Sequence, residues 1–282
     1  MSGAKRAVIT GASSGIGLEI ARGLQGQGFE TILAVRSVER GEAAARAIAS
    51  STGGAPPEVM EVDFASGESI HAFARALAKR HAVLDVLVNN AGIWSSSRRE
   101  TSDGIERVWA TNQLGYFLTT ELLKPLLLQA PRARVVSVAS ELARDLDLTD
   151  VSFRRRRYTG VASYAQSKQA NRMWTRALAR RFLGTNVTIN SLHPGGVATG
   201  IFGKGGGLLG TLVGGVAKVL GKTPKEGADT AVWLATSSEV EGRTGLFYVD
   251  REERRCRFTN ELEEEKLFTL CATMTGVTSD PS

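Results

Sequence analysis

Short apolar runs alternate with longer segments in which hydrophobic residues recur at helical spacing. The runs predict strands at 6–10, 30–36, 58–64, 84–92, 133–140, 186–195 and 244–250. The segments between them predict helices at 17–28, 37–50, 68–81, 104–130 and 162–183. We expect Pro125 to kink or end the helix at 104–130, because proline cannot donate a helical hydrogen bond. Apolar strands alternating with helices are typical of an α/β fold, a doubly wound parallel sheet with helices on both faces.

Composition narrows the class of protein without assigning an activity. The chain has 282 residues with 42% hydrophobic and 23% charged residues, which suits one soluble globular domain. Cys256 and Cys271 form no C-x-x-C pair, so a reducing compartment, the cytoplasm, is expected. The three histidines show no metal-ligand spacing. The first strand begins too early for a signal peptide, and no apolar stretch is long enough to span a membrane.

The formal charge of +6 comes largely from clusters at 154–157 and 251–257. We interpret these clusters as solvated surface, with anionic ligands as the alternative, and expect no nucleic-acid partner.

A glycine-rich turn, "TGASSGIG", follows the first strand at residues 10–17 and departs from the usual G-x-G-x-x-G spacing. Glycines there permit a tight turn and the close approach of a diphosphate to a helix N-terminus, where backbone N–H groups favour negative charge. The segment therefore predicts a dinucleotide site, with a purely structural turn as the alternative. The predicted binding residues are Gly11, Ser13, Ser14, Gly15, Ile16 and Gly17.

The end of the second strand indicates which dinucleotide binds. A carboxylate at this position would favour NAD by binding the ribose hydroxyls, but the chain has Arg36 in "LAVRS". A guanidinium matches a 2′-phosphate, and Arg40 lies one turn further on. We expect NADP(H) in preference to NAD(H), a surface arginine being the alternative.

Tyr164 and Lys168, in "YAQSK", are four residues apart on one helix face. A phenol has a pKa of about 10, and a nearby ammonium is expected to lower it. Tyr164 then serves as a general acid toward a carbonyl oxygen, or as a base in the reverse direction. Y-x-x-x-K alone also occurs on many exposed helices.

The ordered set of motifs resembles the short-chain dehydrogenase/reductase family. It comprises "TGASSGIG", "NNAG" (89–92), "TNQLG" (111–115), "VVSVAS" (135–140), "YAQSK" (164–168) and "HPGGVAT" (193–199). "LAVRS", "LHPG" and "KTPKEGADT" are most similar to the retinol-dehydrogenase-like branch. The resemblance implies a single Rossmann-type domain over 1–282 with about seven strands, a core at about 5–250 and a C-terminal helical extension at about 258–276.

The resemblance also implies a role for each matching residue. Asn112 would hold a water of the proton relay, and Ser140 would bind the substrate oxygen. Tyr164 and Lys168 would form the acid/base pair and would also bind the cofactor, Lys168 at the nicotinamide ribose. The remaining cofactor contacts would be Asp63 and Phe64 beside adenine, Asn90, Ala91 and Gly92 beside its ribose, and Pro194, Gly195, Val197 and Thr199 beside the nicotinamide and diphosphate. Each match has a bland alternative, such as a helix cap for Asn112. We expect His193 to be a packed strand-end residue.

The implied activity is hydride transfer between NADP(H) and a carbonyl or alcohol of a small, lipophilic molecule. Two alternatives stay open: an NADPH-dependent C=C reductase on the same scaffold, and a non-catalytic NADP(H)-binding module. No metal is expected.

Substrate specificity is expected to reside in loops 93–103, 141–160 and 200–222. The glycine-rich and apolar segment 200–222 is predicted to be a lid, with a surface loop as the alternative, and membrane contact is at most peripheral. The arginines at 154–157 suggest an acidic substrate, against the lipophilic one that 200–222 suggests. The oligomeric state is open, with a homodimer or homotetramer as candidates, because relatives commonly pair through the helices of Asn112 and Tyr164.

Overall fold

An eight-stranded sheet forms the centre of the computed structural model, which describes residues 4–196 and 222–278. Its strand order is β3-β2-β1-β4-β5-β6-β7-β8. The strands are β1 (Arg6–Thr10), β2 (Glu30–Val35), β3 (Glu58–Glu61), β4 (Val86–Asn89), β5 (Ala133–Val138), β6 (Val187–His193), β7 (Phe247–Val249) and β8 (Glu252–Arg254). The first seven run parallel, as predicted, and β8 pairs antiparallel with β7.

Helices cover both faces of the sheet. They are α1 (Gly15–Gly26), α2 (Val38–Thr52), α3 (Gly67–Arg80), α4 (Arg107–Trp109), α5 (Gly115–Gln129), α6 (Gly160–Arg181), α7 (Pro224–Thr236) and α8 (Glu261–Thr275). A π-helical turn (Ala110–Leu114) joins α4 to α5, and a 3-10 turn (Ser238–Val240) follows α7.

Two hydrophobic cores form because successive strand residues point to opposite faces of the sheet. In β1, Val8 packs into the core under α3, α5 and α6, whereas Ile9 packs into the core under α1, α2 and α7. Val135 and Val136 divide in the same way in β5. This two-sided burial explains why the strands read as continuous apolar runs, and it confirms the doubly wound α/β fold.

The helix predicted at 104–130 is not uniform. It begins at Arg107 after the cap residue Glu106, and it widens to the π-helical turn where the Gly115 N–H bonds to the Ala110 carbonyl. Of the two alternatives predicted for Pro125, a kink or the end of the helix, the second is wrong, because α5 continues to Gln129. Proline removes one backbone hydrogen bond, and burial of the neighbouring leucines in the core outweighs that loss.

Two elements near the C-terminus extend the sheet and cover α6. Asp250 and Arg251 have positive φ angles of 53° and 62°, which form the tight turn between β7 and β8. The last helix, α8, packs on α6, and its fully buried Glu264 accepts hydrogen bonds from Arg176 at 2.7 Å and Arg180 at 2.5 Å.

Candidate active site

The glycine-rich turn has a shape that side chains would prevent. Gly11 and Gly15 have positive φ angles of 68° and 60°. A Cβ on Gly11 would lie 2.9 Å from the Cα of Ala91, and one on Gly17 would lie 2.5 Å from the Nδ2 of Asn90. The turn therefore packs directly on the segment after β4. Helix α1 begins here with Ser14 as its cap residue, and the Ser14 side chain makes no capping hydrogen bond.

A cavity of about 470 Å³ opens beside this turn at the carboxyl ends of the strands. Thirteen predicted cofactor residues line it: Gly11, Ser13, Ser14, Gly15, Ile16, Gly17, Arg36, Arg40, Asp63, Phe64, Asn90, Ala91 and Gly92. Six further lining residues were not predicted as cofactor contacts: Val35, Val62, Ile93, Trp94, Arg107 and Thr111. Val35, Val62 and Ile93 are next to predicted contacts in the sequence, so the same motifs could have indicated them. Nothing in the sequence marked Arg107 as a cofactor contact, because it lies within the helix predicted at 104–130 and outside every motif.

The charges of the cavity suit a phosphorylated ligand. Arg36, Arg40 and Arg107 line it against a single carboxylate, that of Asp63, so its wall is positively charged overall. Both arginines of the predicted 2′-phosphate site are exposed. The Oδ1 atom of Asp63 accepts a hydrogen bond from the Ala65 N–H at 3.0 Å, so this oxygen is already committed to the turn. Glycine turn, helix N-terminus and arginines together fit a dinucleotide with an added phosphate.

Thr10 fastens the floor of the cavity, a role that the sequence did not indicate. Its buried hydroxyl accepts hydrogen bonds from the N–H groups of Asn90 at 2.8 Å and Ala91 at 2.9 Å, and it donates to the Val88 carbonyl at 3.2 Å. The Asn90 side chain donates to the Thr10 carbonyl at 2.8 Å. One threonine thus joins the end of β1 to the turn after β4.

Asn112 lies in the π-helical turn, and its side chain is bonded within the protein. Its Oδ1 accepts from the Ile93 N–H at 2.8 Å, while its Nδ2 donates to the Ile93 carbonyl at 3.0 Å and to the Ser167 hydroxyl at 3.1 Å. Its main-chain carbonyl accepts from the Nδ2 of Asn171 at 2.8 Å. Asn112 therefore joins the segment after β4 to α6, and a relay water there would share these acceptors.

Ser140 and Tyr164 are brought together at the end of β5. Their side chains are hydrogen-bonded, although 24 positions separate them in the sequence. Burial raises the pKa of Tyr164 to about 12, and the hydrogen bond with Ser140 acts in the opposite direction. The expectation that this pKa lies below its ordinary value is wrong for the free protein.

The Lys168 ammonium does not offset this effect of burial on the Tyr164 pKa. Its Nζ donates to the Val138 carbonyl at 2.8 Å, to Oδ1 of Asn171 at 3.1 Å and to the Tyr116 hydroxyl at 3.4 Å. It lies 5.8 Å from the centre of the Tyr164 ring. Burial also lowers the pKa of Lys168 to about 7, which weakens its charge near neutral pH.

Pro194 and Gly195, the predicted residues after β6 that the structure describes, are not among the residues that line this cavity. Gly195 has a φ of 84°, and a Cβ there would lie 2.7 Å from Cδ of Lys222. Pro194 precedes it, directly after β6. Val197, Thr199 and residues 200–221 of the lid predicted at 200–222 lie outside the described residues. His193 is a buried strand-end residue whose Nε2 contacts Glu141 at 3.1 Å.

The arginine run at 154–157 organises its own loop. The carboxylate of Asp150 accepts hydrogen bonds from the N–H groups of Arg154 at 2.7 Å, Arg155 at 3.2 Å and Arg156 at 2.9 Å. Desolvation opposes ionisation of Asp150, but these bonds lower its pKa to about 2. The Arg156 side chain donates to the Asp150 carbonyl at 2.9 Å. These contacts favour a structural role over the capture of an acidic substrate.

The described part of the chain contains neither a cluster of metal ligands nor a membrane-spanning helix. Across 4–196 and 222–278, no three His, Cys, Asp or Glu side chains form a cluster that could hold a metal ion. Within these ranges, every helix is too short or too polar to cross a bilayer.

The chain is similar to known proteins both in sequence and in structure. Residues 5–205 match the short chain dehydrogenase family. Retinol dehydrogenase 14 of Mus musculus is 38% identical over 290 residues, covering 97% of this chain and 86% of that protein. Retinol dehydrogenase 13 of Homo sapiens is 35% identical over 251 residues, covering 86% of this chain and 76% of that protein.

A solved structure of an uncharacterized protein from Mycobacterium Paratuberculosis has 31% sequence identity and a TM-score of 0.78, covering 96% of this chain and 93% of that one. A short chain dehydrogenase from Shigella flexneri 2a str. 301, complexed with NADP, shares the fold at a TM-score of 0.67 and 24% identity, covering 86% of this chain and 95% of that one. The chain is an oxidoreductase that belongs to the short-chain dehydrogenase family, in its retinol-dehydrogenase-like branch.

Proposed function

We propose that this protein is an NADP(H)-dependent carbonyl reductase, or the alcohol dehydrogenase of the reverse reaction, for small lipophilic substrates. The observation that carries the proposal is the hydrogen-bonded pair Ser140 and Tyr164, with Lys168 one turn further along α6. This triad lies at the same edge of the sheet as the glycine turn and its cavity.

The fit of the cavity supports NADP(H) as the cofactor. Gly11, Gly15 and Gly17 leave room for a diphosphate at the N-terminus of α1, and Arg36 with Arg40 would hold the 2′-phosphate. Asp63 and Phe64 would border adenine, while Asn90, Ala91 and Gly92 would border its ribose. Pro194, Gly195, Val197 and Thr199 are proposed as contacts of the nicotinamide half. When bound, the reduced nicotinamide supplies the hydride that protein side chains cannot provide.

The protein's own residues supply position and the proton. Ser140 donates a hydrogen bond to the substrate oxygen and orients it toward Tyr164. Tyr164 donates its proton to that oxygen during reduction and accepts it during oxidation. Lys168 stabilises the phenolate that this transfer leaves behind, since an ammonium favours the charged form of a phenol. Asn112 holds α6 against the segment after β4, which keeps these groups in place.

The lipophilic substrate class has separate support. The relatives at 38% and 35% identity are named for retinol, an apolar alcohol. The glycine-rich and apolar segment 200–222 of this chain is the predicted lid over the pocket.

The test is a cofactor-oxidation assay with matched carbonyl substrates. The purified chain is given NADPH or NADH with a long polyene aldehyde, an aromatic ketone, a short aliphatic aldehyde or a keto acid. We expect NADPH consumption with the apolar carbonyls and formation of the corresponding alcohol. A product saturated at C=C would instead establish the alternative reductase chemistry. Tight NADPH binding without turnover of any substrate would overturn the enzymatic proposal in favour of a binding module.

A further inference from the structure

Asn171 is fully buried on α6, one turn beyond Lys168. Its Oδ1 accepts a hydrogen bond from the Lys168 Nζ at 3.1 Å. Its Nδ2 donates to the main-chain carbonyl of Asn112 at 2.8 Å and to Oε1 of Gln113 at 2.9 Å. The carboxamide oxygen therefore accepts a hydrogen bond from α6, and both N–H donors of the amide group bond to the π-helical turn.

The three acceptors of the Lys168 ammonium differ in what they can do. The Val138 carbonyl belongs to the sheet and is fixed by it. The Tyr116 hydroxyl, at 3.4 Å, is the longest contact and also donates to the Val138 carbonyl at 3.3 Å. Asn171 is a side-chain acceptor that can be replaced by mutation, and it also contacts the π-helical turn that carries Asn112.

Few titratable groups share this region with Lys168. Tyr116 faces it from α5 and Tyr164 from α6, while β5 contributes only the Val138 carbonyl. Cys271 of α8 reaches Asn171 only through Gln113, whose Nε2 contacts the thiol sulfur at 3.5 Å. Because burial disfavours the charged form of Lys168, the loss of one acceptor should have a measurable effect on its titration.

We propose that Asn171 is a positioning residue for the reaction: its carboxamide ties the Lys168 ammonium to the π-helical turn and so fixes the distance between Lys168 and Tyr164. This inference rests on the proposed function for its effect on turnover, whereas the contact itself belongs to the free protein. Asn171 touches neither substrate nor nicotinamide in this scheme and acts through Lys168 alone.

Three variants test the proposal. Asn171→Leu keeps the size of the side chain and removes both its acceptor and its donors. Asn171→Asp keeps an acceptor for Lys168 and adds a negative charge beside it. Thr175→Val is the matched control, because the buried Thr175 hydroxyl donates to the Asn171 main-chain carbonyl at 2.8 Å and leaves the carboxamide untouched.

The first measurement needs no cofactor and follows the Lys168 ammonium by NMR titration of the free protein. We expect Asn171→Leu to lower the pKa of Lys168, Asn171→Asp to raise it, and Thr175→Val to leave it unchanged. Asn171→Asp keeps this test open should Asn171→Leu fail to fold. A Lys168 titration that is the same in the wild type and Asn171→Asp would overturn the proposal.

The second measurement is the pH profile of turnover. Asn171→Leu is expected to lower kcat by about tenfold to a hundredfold with little change in KM for NADPH, since misplacement of a reacting group affects chemistry more than binding. In alcohol oxidation its acid limb should move to higher pH, as Tyr164 loses its cation. A lower kcat with an unshifted limb would show a purely structural role and contradict the proposal. Absence of turnover in the wild type would instead refute the proposed function, with the NMR titration still deciding the role of Asn171.

Discussion

The Nζ of Lys168 lies 5.8 Å from the centre of the Tyr164 ring, and both side chains are buried. Burial raises the pKa of Tyr164 to about 12 and lowers that of Lys168 to about 7, so each group favours its neutral form in the free protein. A phenol in this condition is a poor proton-transfer group at neutral pH.

Lys168 should leave a signature in the pH dependence of stability. Its folded-state pKa of about 7 lies below its ordinary value of 10.5, so the unfolded chain binds more protons between these limits. The free energy of unfolding of the wild type, relative to Lys168→Met, should therefore rise with pH across this window by up to about 1.4 kcal/mol per pH unit. Denaturant unfolding at several pH values measures this difference. A difference that falls or stays constant with pH would contradict the assigned pKa.

Tyr164→Phe removes the proposed proton donor without changing the shape of the side chain. We expect NADPH affinity to stay near that of the wild type and kcat to fall by about 100-fold to 10,000-fold, the usual contribution of a positioned acid or base. Tyr248→Phe is the control, because Tyr248 lies in β7 and packs into the core under α1, α2 and α7, away from the triad. Retention of wild-type kcat in Tyr164→Phe would remove this tyrosine from the mechanism.

Arg36→Ala tests the choice of dinucleotide. The affinity for NADPH should fall by about tenfold to a hundredfold, as expected for the loss of charged hydrogen bonds, while the affinity for NADH should hardly change. Fluorescence titration with both cofactors measures this ratio. Arg46→Ala is a control on the exposed side of α2, where Arg46 lies 4.0 Å from Glu42. Equal losses for NADPH and NADH would place the 2′-phosphate elsewhere.

Thr10→Val should weaken the floor of the cofactor cavity. The substitution removes the acceptor of the Asn90 and Ala91 N–H groups, and each buried unpaired N–H costs about 1–3 kcal/mol. We expect a lower melting temperature together with weaker NADPH binding. Thr188→Val in β6, away from this cavity, supplies the comparison. Unchanged cofactor affinity in a destabilised Thr10→Val protein would limit Thr10 to a role in folding.

The sheet and the cavity were largely predictable because their signals are local. Apolar runs mark the buried strands, and the turns that contain Gly11, Arg36, Asp63 and Asn90 each directly follow one of them. Parallel strands bring such turns to one edge of the sheet. The glycine turn and Arg36 were predicted from the residues themselves, and Asp63 and Asn90 through the family resemblance; all of them line one cavity.

Other features depended on tertiary packing and were missed or predicted wrongly. The residues of the π-helical turn at Ala110–Leu114 do not differ in type from those of an ordinary α-helix. The pKa of Tyr164 is raised by burial, which the spacing of residues along a helix does not reveal. Thr10 is an ordinary strand residue until its hydroxyl is placed beside Asn90 and Ala91.

The antiparallel strand β8 is the last strand at one edge of the sheet, where strands of other copies could pair. Glu252, Glu253 and Arg254 are all exposed along this outermost ribbon, which borders the apolar, aromatic β7. The unpaired backbone N–H and C=O groups of an edge strand can pair with a strand of another molecule, and charged side chains on that strand disfavour such pairing. We therefore expect the charges of β8 to limit edge-to-edge pairing of copies, and their neutralisation to promote self-association.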